Sequence, residues 1–83
     1  MTSIFIGNLP LWVTSQHLKE WLREEKLEFI RVHVLAGKRC GFIDAPSGEE
    51  AERIIARYDN APLDGHILRA HTAHPKPTAE TQR

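Results

Sequence analysis

Phe5 and Phe42 each sit in a short run where apolar residues alternate. In an extended chain Phe5 points away from Ile4 and Ile6, and Phe42 points away from Gly41 and Ile43. A sheet with one buried face carries polar residues on its free side, so an outward aromatic is either covered by another segment or held open as a stacking surface for a ligand. Arg31, Lys38, Arg39 and Arg69 gather on the side that carries the two rings and supply the cations that phosphates or base edges require. His33 and His71 should flank the rings, and Asn8 stands where the first run ends. Two other groupings carry less. Cys40, with His33 on the neighbouring strand and Asp44 beyond it, has the residue types of a nucleophile, a base and an orienting acid, but an open sheet offers no cleft. Enzymatic activity is not expected. His66, His71 and His74 do not converge under strand alternation and have no acidic or thiol ligand at matching spacing, so neither a metal nor a cofactor is expected.

The elements that must position these residues are legible. Residues 3–7 read as a strand followed by a loop, and Thr14 is suited to cap a helix, with Val13 before it and Leu18 at the fourth helical position as a hydrophobic staple. Leu18, Trp21, Leu22 and the more distal Leu27 form its apolar stripe. From Phe29 to Leu35 the chain alternates, placing Ile30, Val32 and Val34 inward and Arg31 and His33 outward. A tight turn at residues 36–38 leads into a strand with Gly41, Ile43 and Ala45 inward and Cys40, Phe42 and Asp44 outward. Ser47 and Glu50 predict a capping box for a second helix with the stripe Ala51, Ile54, Ile55 and Tyr58. Turn chemistry over residues 60–65 precedes a last strand from His66 to Ala73, with Leu68 and Ala70 inward and Arg69 and His71 outward. This β-α-β-β-α-β order predicts an α+β, ferredoxin-like split βαβ sandwich: two helices on one face of a four-stranded antiparallel sheet, the other face open. Residues 1–74 form the expected domain, and the polar, proline-containing residues 75–83 read as a disordered tail, too short and polar to cover the rings.

Composition narrows the function further. At 83 residues the chain is one small domain, expected to bury only about 60% of the surface of its unfolded form. No apolar run approaches the ~20 residues of a membrane span, and no secretory signal opens the chain, so an intracellular protein, nuclear or cytoplasmic, is expected. Met1 is expected to mark the natural N-terminus. The single cysteine excludes an intrachain disulfide. A net charge of zero argues against a strong general polyanion binder. The charge is unevenly spread, however: residues 29–43 carry Arg31, Lys38 and Arg39 with no acid, whereas residues 44–64 carry six acids and two arginines. Strands and their turns thus favour an anion while the helices are acidic.

With Ile4 to Leu9 on the first strand and Lys38 to Ala45 on the third, the sequence resembles the RNA recognition motif family over residues 3 to about 74. Ile4-Phe5-Ile6-Gly7-Asn8-Leu9 fits the six-residue signature of the family's first strand at every position. The eight-residue signature of the third strand appears as Lys38 to Ala45, where Lys38, Gly41, Phe42 and Ile43 match, while Arg39 replaces a glycine, Cys40 an aromatic and Ala45 a second aromatic. The resemblance implies single-stranded RNA as partner, or single-stranded DNA, with Phe5 and Phe42 stacking two bases. It assigns RNA contacts to Phe5, Phe42, Lys38, Arg31, Arg69, Asn8, His33, His71, Cys40 and Arg39. In many members the aromatic at the place of Cys40 packs on ribose, so its loss, with the short hairpin, implies an affinity nearer micromolar than nanomolar, roughly −8 kcal/mol. A monomer is expected. The alternative reading is a protein-interaction module that docks through the acidic helical face.

Overall fold

The computed structural model describes residues 2–35 and 37–73. The chain runs β1 (Thr2–Gly7), α1 (Ser15–Glu24), β2 (Arg31–Leu35), β3 (Cys40–Ala45), α2 (Gly48–Tyr58), β4 (Pro62–Leu63), β5 (His66–Ile67) and β6 (Arg69–Ala73). Four strands form one antiparallel sheet in the order β2-β3-β1-β6, with both helices packed against it. This is the expected ferredoxin-like sandwich. The segment 75–83, expected to be disordered, lies outside the described residues, as do His74 and the turn residue Ala36.

Alternation decides the two faces of the sheet. Ile4, Ile6, Val32, Ile43, Ala45 and Ala70 point inward and join Leu18 and Leu22 of α1 and Ala51, Ile54 and Tyr58 of α2 in one buried core. Val13 and Leu18, the pair expected to staple the entry to α1, are both in it. Thr14 caps α1 as expected, but its partner is a histidine: the Thr14 hydroxyl accepts from the His17 N–H, and Nδ1 of His17 accepts from the Thr14 N–H at 3.0 Å. An imidazole three residues into the helix thus takes the place that Glu or Gln fills in the usual box.

The structure corrects four details. Leu27 is buried, but after α1 has ended: Lys26 adopts a left-handed φ of 61°, the Lys26 and Leu27 N–H groups donate to the Arg23 and Leu22 carbonyls, and the chain folds Leu27 back onto the core. Ile30 is 54% exposed instead of inward, because β2 begins only at Arg31, two residues into the alternating run, and Phe29 packs against the core in its stead. The capping box of α2 is half made: the Ser47 hydroxyl accepts from the Glu50 N–H, whereas the Glu50 carboxylate accepts from the Glu28 N–H at 2.9 Å. Finally, the last strand is broken at Leu68. Leu68 bonds through both backbone groups to Asn60 and Ala61, which detaches β5 from β6 and pairs it with β4 in a small separate hairpin.

Candidate nucleic-acid interface

The open face is built by register. β1 is central, and its pairings set Phe5 opposite Phe42 on one side and opposite His71 on the other, while His33 of β2 faces Phe42. His33, Phe42, Phe5 and His71 therefore form one lateral row across all four strands. The two phenylalanine rings meet edge to face with centroids 5.7 Å apart, and His71 stacks on Phe5 at 5.0 Å and 27°. These are the distances and orientations that aromatic quadrupoles favour. Phe42 remains 38% exposed, a large apolar ring that the described chain leaves uncovered.

A second device fixes Phe5. Gly7 lies two residues on, on the same open face, yet is buried, because the Phe5 ring leans over it. A β-carbon built on Gly7 would fall 2.8 Å from Cε2 and 3.0 Å from Cζ of that ring. The glycine gives the ring room to lie along the strand.

The polar residues expected to contact RNA divide into two sets. Lys38 and Arg39 are exposed in the β2–β3 turn, where Arg39 takes a φ of 58° and its carbonyl accepts from the Leu9 N–H, binding this turn to the end of β1. Arg69 is exposed at the start of β6 opposite Gly7, His33 is exposed at the edge of the ring row, and Cys40 is half-buried in β3. The other set is engaged within the protein. Asn8, at φ 63°, spends its side-chain amide on the Ile67 carbonyl at 2.8 Å, tying β1 to the hairpin. Arg31 pairs through Nε with Asp44 at 3.3 Å, and Asp44 also accepts from the Ser3 hydroxyl at 2.7 Å. The sequence reading missed this ion pair on the open face; strict alternation of Ser3, Arg31 and Asp44 onto that face was the available signal.

The opposite side has a different character. A cavity of about 240 Å³ opens between the helices, bounded by Trp21, Glu24, Arg57, Tyr58 and Leu63. The acidic residues there are partly neutralised: Glu25 binds Arg57 at 3.2 Å and holds the guanidinium above its usual pKa, and Glu50 binds Arg53. Trp12 lies in the loop after β1, its Nε1 donating to Asp64 and its ring edge-on to Trp21, so it belongs to this side and not to the row of rings. No three His, Cys, Asp or Glu side chains are grouped to hold a metal among the described residues. No helix among them is long and apolar enough to cross a membrane.

Residues 4–69 match the family description RNA recognition motif. The chain belongs to the RNA recognition motif family. Among curated proteins it is similar to the polyadenylate-binding protein RBP45 of Nicotiana plumbaginifolia, 31% identical over 98% of this chain and 20% of that protein. It is also similar to the polyadenylate-binding protein RBP45B of Arabidopsis thaliana, 34% identical over 82% of this chain and 16% of that one. This RNA recognition motif therefore spans about a fifth of the length of those relatives. Among solved structures, the second RRM domain of the yeast poly(U)-binding protein Pub1 superposes with a TM-score of 0.76, at 20% identity over 89% of this chain and 95% of that one, a likeness of fold.

Proposed function

We propose that this domain binds single-stranded RNA across its open sheet face, with Phe5 and Phe42 as the stacking surface. The row of four rings carries the reading: two phenylalanines in contact, one of them 38% exposed and flanked by imidazoles, form an apolar platform on which unpaired bases can splay. Family membership and the names of the polyadenylate-binding relatives support RNA as the ligand class. Lys38, Arg39 and Arg69 lie at one end of the platform and hold the backbone, Arg31 lies at the other, and His33 and His71 widen the stacking surface. Cys40 adds only a small contact beside Phe42. Asn8 serves the site by fixing the end of β1, its amide being committed to Ile67.

Each stacked base contributes about 1–3 kcal/mol. Two bases and a few exposed cations give micromolar binding by this domain alone, as a monomer, with the salt dependence of phosphate contacts. The test is an NMR titration of labelled protein with short single-stranded RNA at two salt concentrations, comparing wild type with Phe5→Ala plus Phe42→Ala. Shifts confined to residues 4–8, 38–44 and 69–72, and lost in the folded double variant, support the reading. A folded wild type that shows no shift at millimolar RNA overturns it.

A further inference from the structure

The Arg31–Asp44–Ser3 group forms the next lateral row of the open face, adjoining the row of rings. Asp44 follows Phe42 by two residues on the same face of β3, about 6.6 Å along the strand, within reach of the edge of a base stacked on Phe42. A carboxylate facing an RNA platform would repel phosphates, so its presence needs a reason. Arg31 cancels its charge, which leaves the pair with little effect on general affinity and a strong directional effect. A carboxylate offers about four lone-pair sites. Ser3 occupies one on Oδ1 and Arg31 one on Oδ2, while the Asp44 side chain keeps 16% of its surface open. Both oxygens are therefore held in place with acceptor capacity to spare.

We infer that Asp44 determines base preference on this platform, accepting a hydrogen bond from the exocyclic amino group of adenine, cytosine or guanine in preference to uracil, with Ser3 and Arg31 as positioning residues. The amino group projects from the ring edge toward the carboxylate. Uracil has no such group: its N3–H donor is recessed between two carbonyl oxygens, which would themselves confront Asp44. The inference rests on the RNA reading of this face and adds to it a class of base. Arg31 holds Asp44 through Nε rather than its terminal fork, and its side chain is 69% exposed, so the same guanidinium can also meet a phosphate.

The test measures binding of oligo(A), oligo(C) and oligo(U) of equal length to wild type, Asp44→Asn and Ser3→Ala, each checked for a native amide spectrum. Wild type should bind oligo(A) and oligo(C) about tenfold more tightly than oligo(U), the effect of one charge-assisted hydrogen bond. Asp44→Asn keeps the shape but adds an N–H donor that uracil O4 can accept, so the preference should collapse toward unity with a gain for oligo(U). Ser3→Ala, which loosens Asp44 without removing it and leaves the core untouched, should lower the preference while oligo(A) still binds. Equal wild-type affinity for all three oligomers overturns the inference and leaves RNA binding standing, as does a preference unchanged in both variants. A wild type that binds none of them overturns the RNA reading, and this inference with it.

Discussion

Gly7 and Phe5 share one small volume on the open face: a β-carbon at position 7 would stand 2.8 Å from Cε2 of the Phe5 ring. The backbone of Gly7 has no positive φ, so alanine fits the strand and only the ring must move. Gly7→Ala should therefore fold, losing at most about the 0.5–1.5 kcal/mol of one aromatic pair, while shifting the Phe5 ring off its resting place and weakening RNA binding by up to the loss of one stacked base, about 1–3 kcal/mol or roughly five- to a hundredfold. Calorimetric melting and an RNA titration on the same sample check this; a loss of stability without a loss of affinity would contradict it.

His71 supports the same ring from the other side. Its stacking on Phe5 is worth about 0.5–1.5 kcal/mol as an aromatic pair. His71→Ala should lower RNA affinity about two- to tenfold, whereas His71→Phe should retain it, measured by fluorescence titration with a labelled oligonucleotide.

Tyr58 is almost wholly buried and its hydroxyl has no hydrogen-bond partner among the described residues. A buried hydroxyl without a partner costs about 1–3 kcal/mol, so Tyr58→Phe should be neutral or stabilising, seen as an equal or higher midpoint in denaturant unfolding. Burial also pushes the Tyr58 pKa up from 10.0. Because the unfolded chain releases this proton first, wild type should lose stability as pH climbs through the unfolded tyrosine value near 10 and toward the higher folded one. In Tyr58→Phe that part of the alkaline decline should vanish.

The cap of α1 is a reciprocal pair between Thr14 and His17. Thr14→Ala should cost about 1 kcal/mol. In a domain of this size that lowers the melting temperature by roughly 4–8 °C, and RNA affinity measured below the transition should be unchanged, since the cap lies off the open face.

The order of the two helices and the four main strands, the buried stripes and the side chains that leave the sheet on its open side are all legible in the sequence. All of these follow from local periodicity: alternation by two assigns Phe5, Phe42, Arg69 and His71 outward, and spacing by three and four assigns Leu18, Leu22, Ile54 and Tyr58 to the core. Where local signals are weak, element boundaries are not legible in the sequence. Lys26 takes a left-handed turn without being glycine, so the end of α1 was invisible, and Leu68 breaks the last strand through bonds to a turn seven and eight residues earlier.

Which side chains stand beside one another is set by strand pairing. Phe5 and Phe42 are 37 residues apart, and nothing local sets them in one row with His33 and His71; the backbone pairing of β1 with β3 and β6 does. The same register brings Ser3, Arg31 and Asp44 together and commits Asn8 to Ile67. Periodicity belongs to one strand at a time, whereas register is a choice between strands, made by burying every inward side chain at once; a slip of one residue would have turned the whole row of rings into the core.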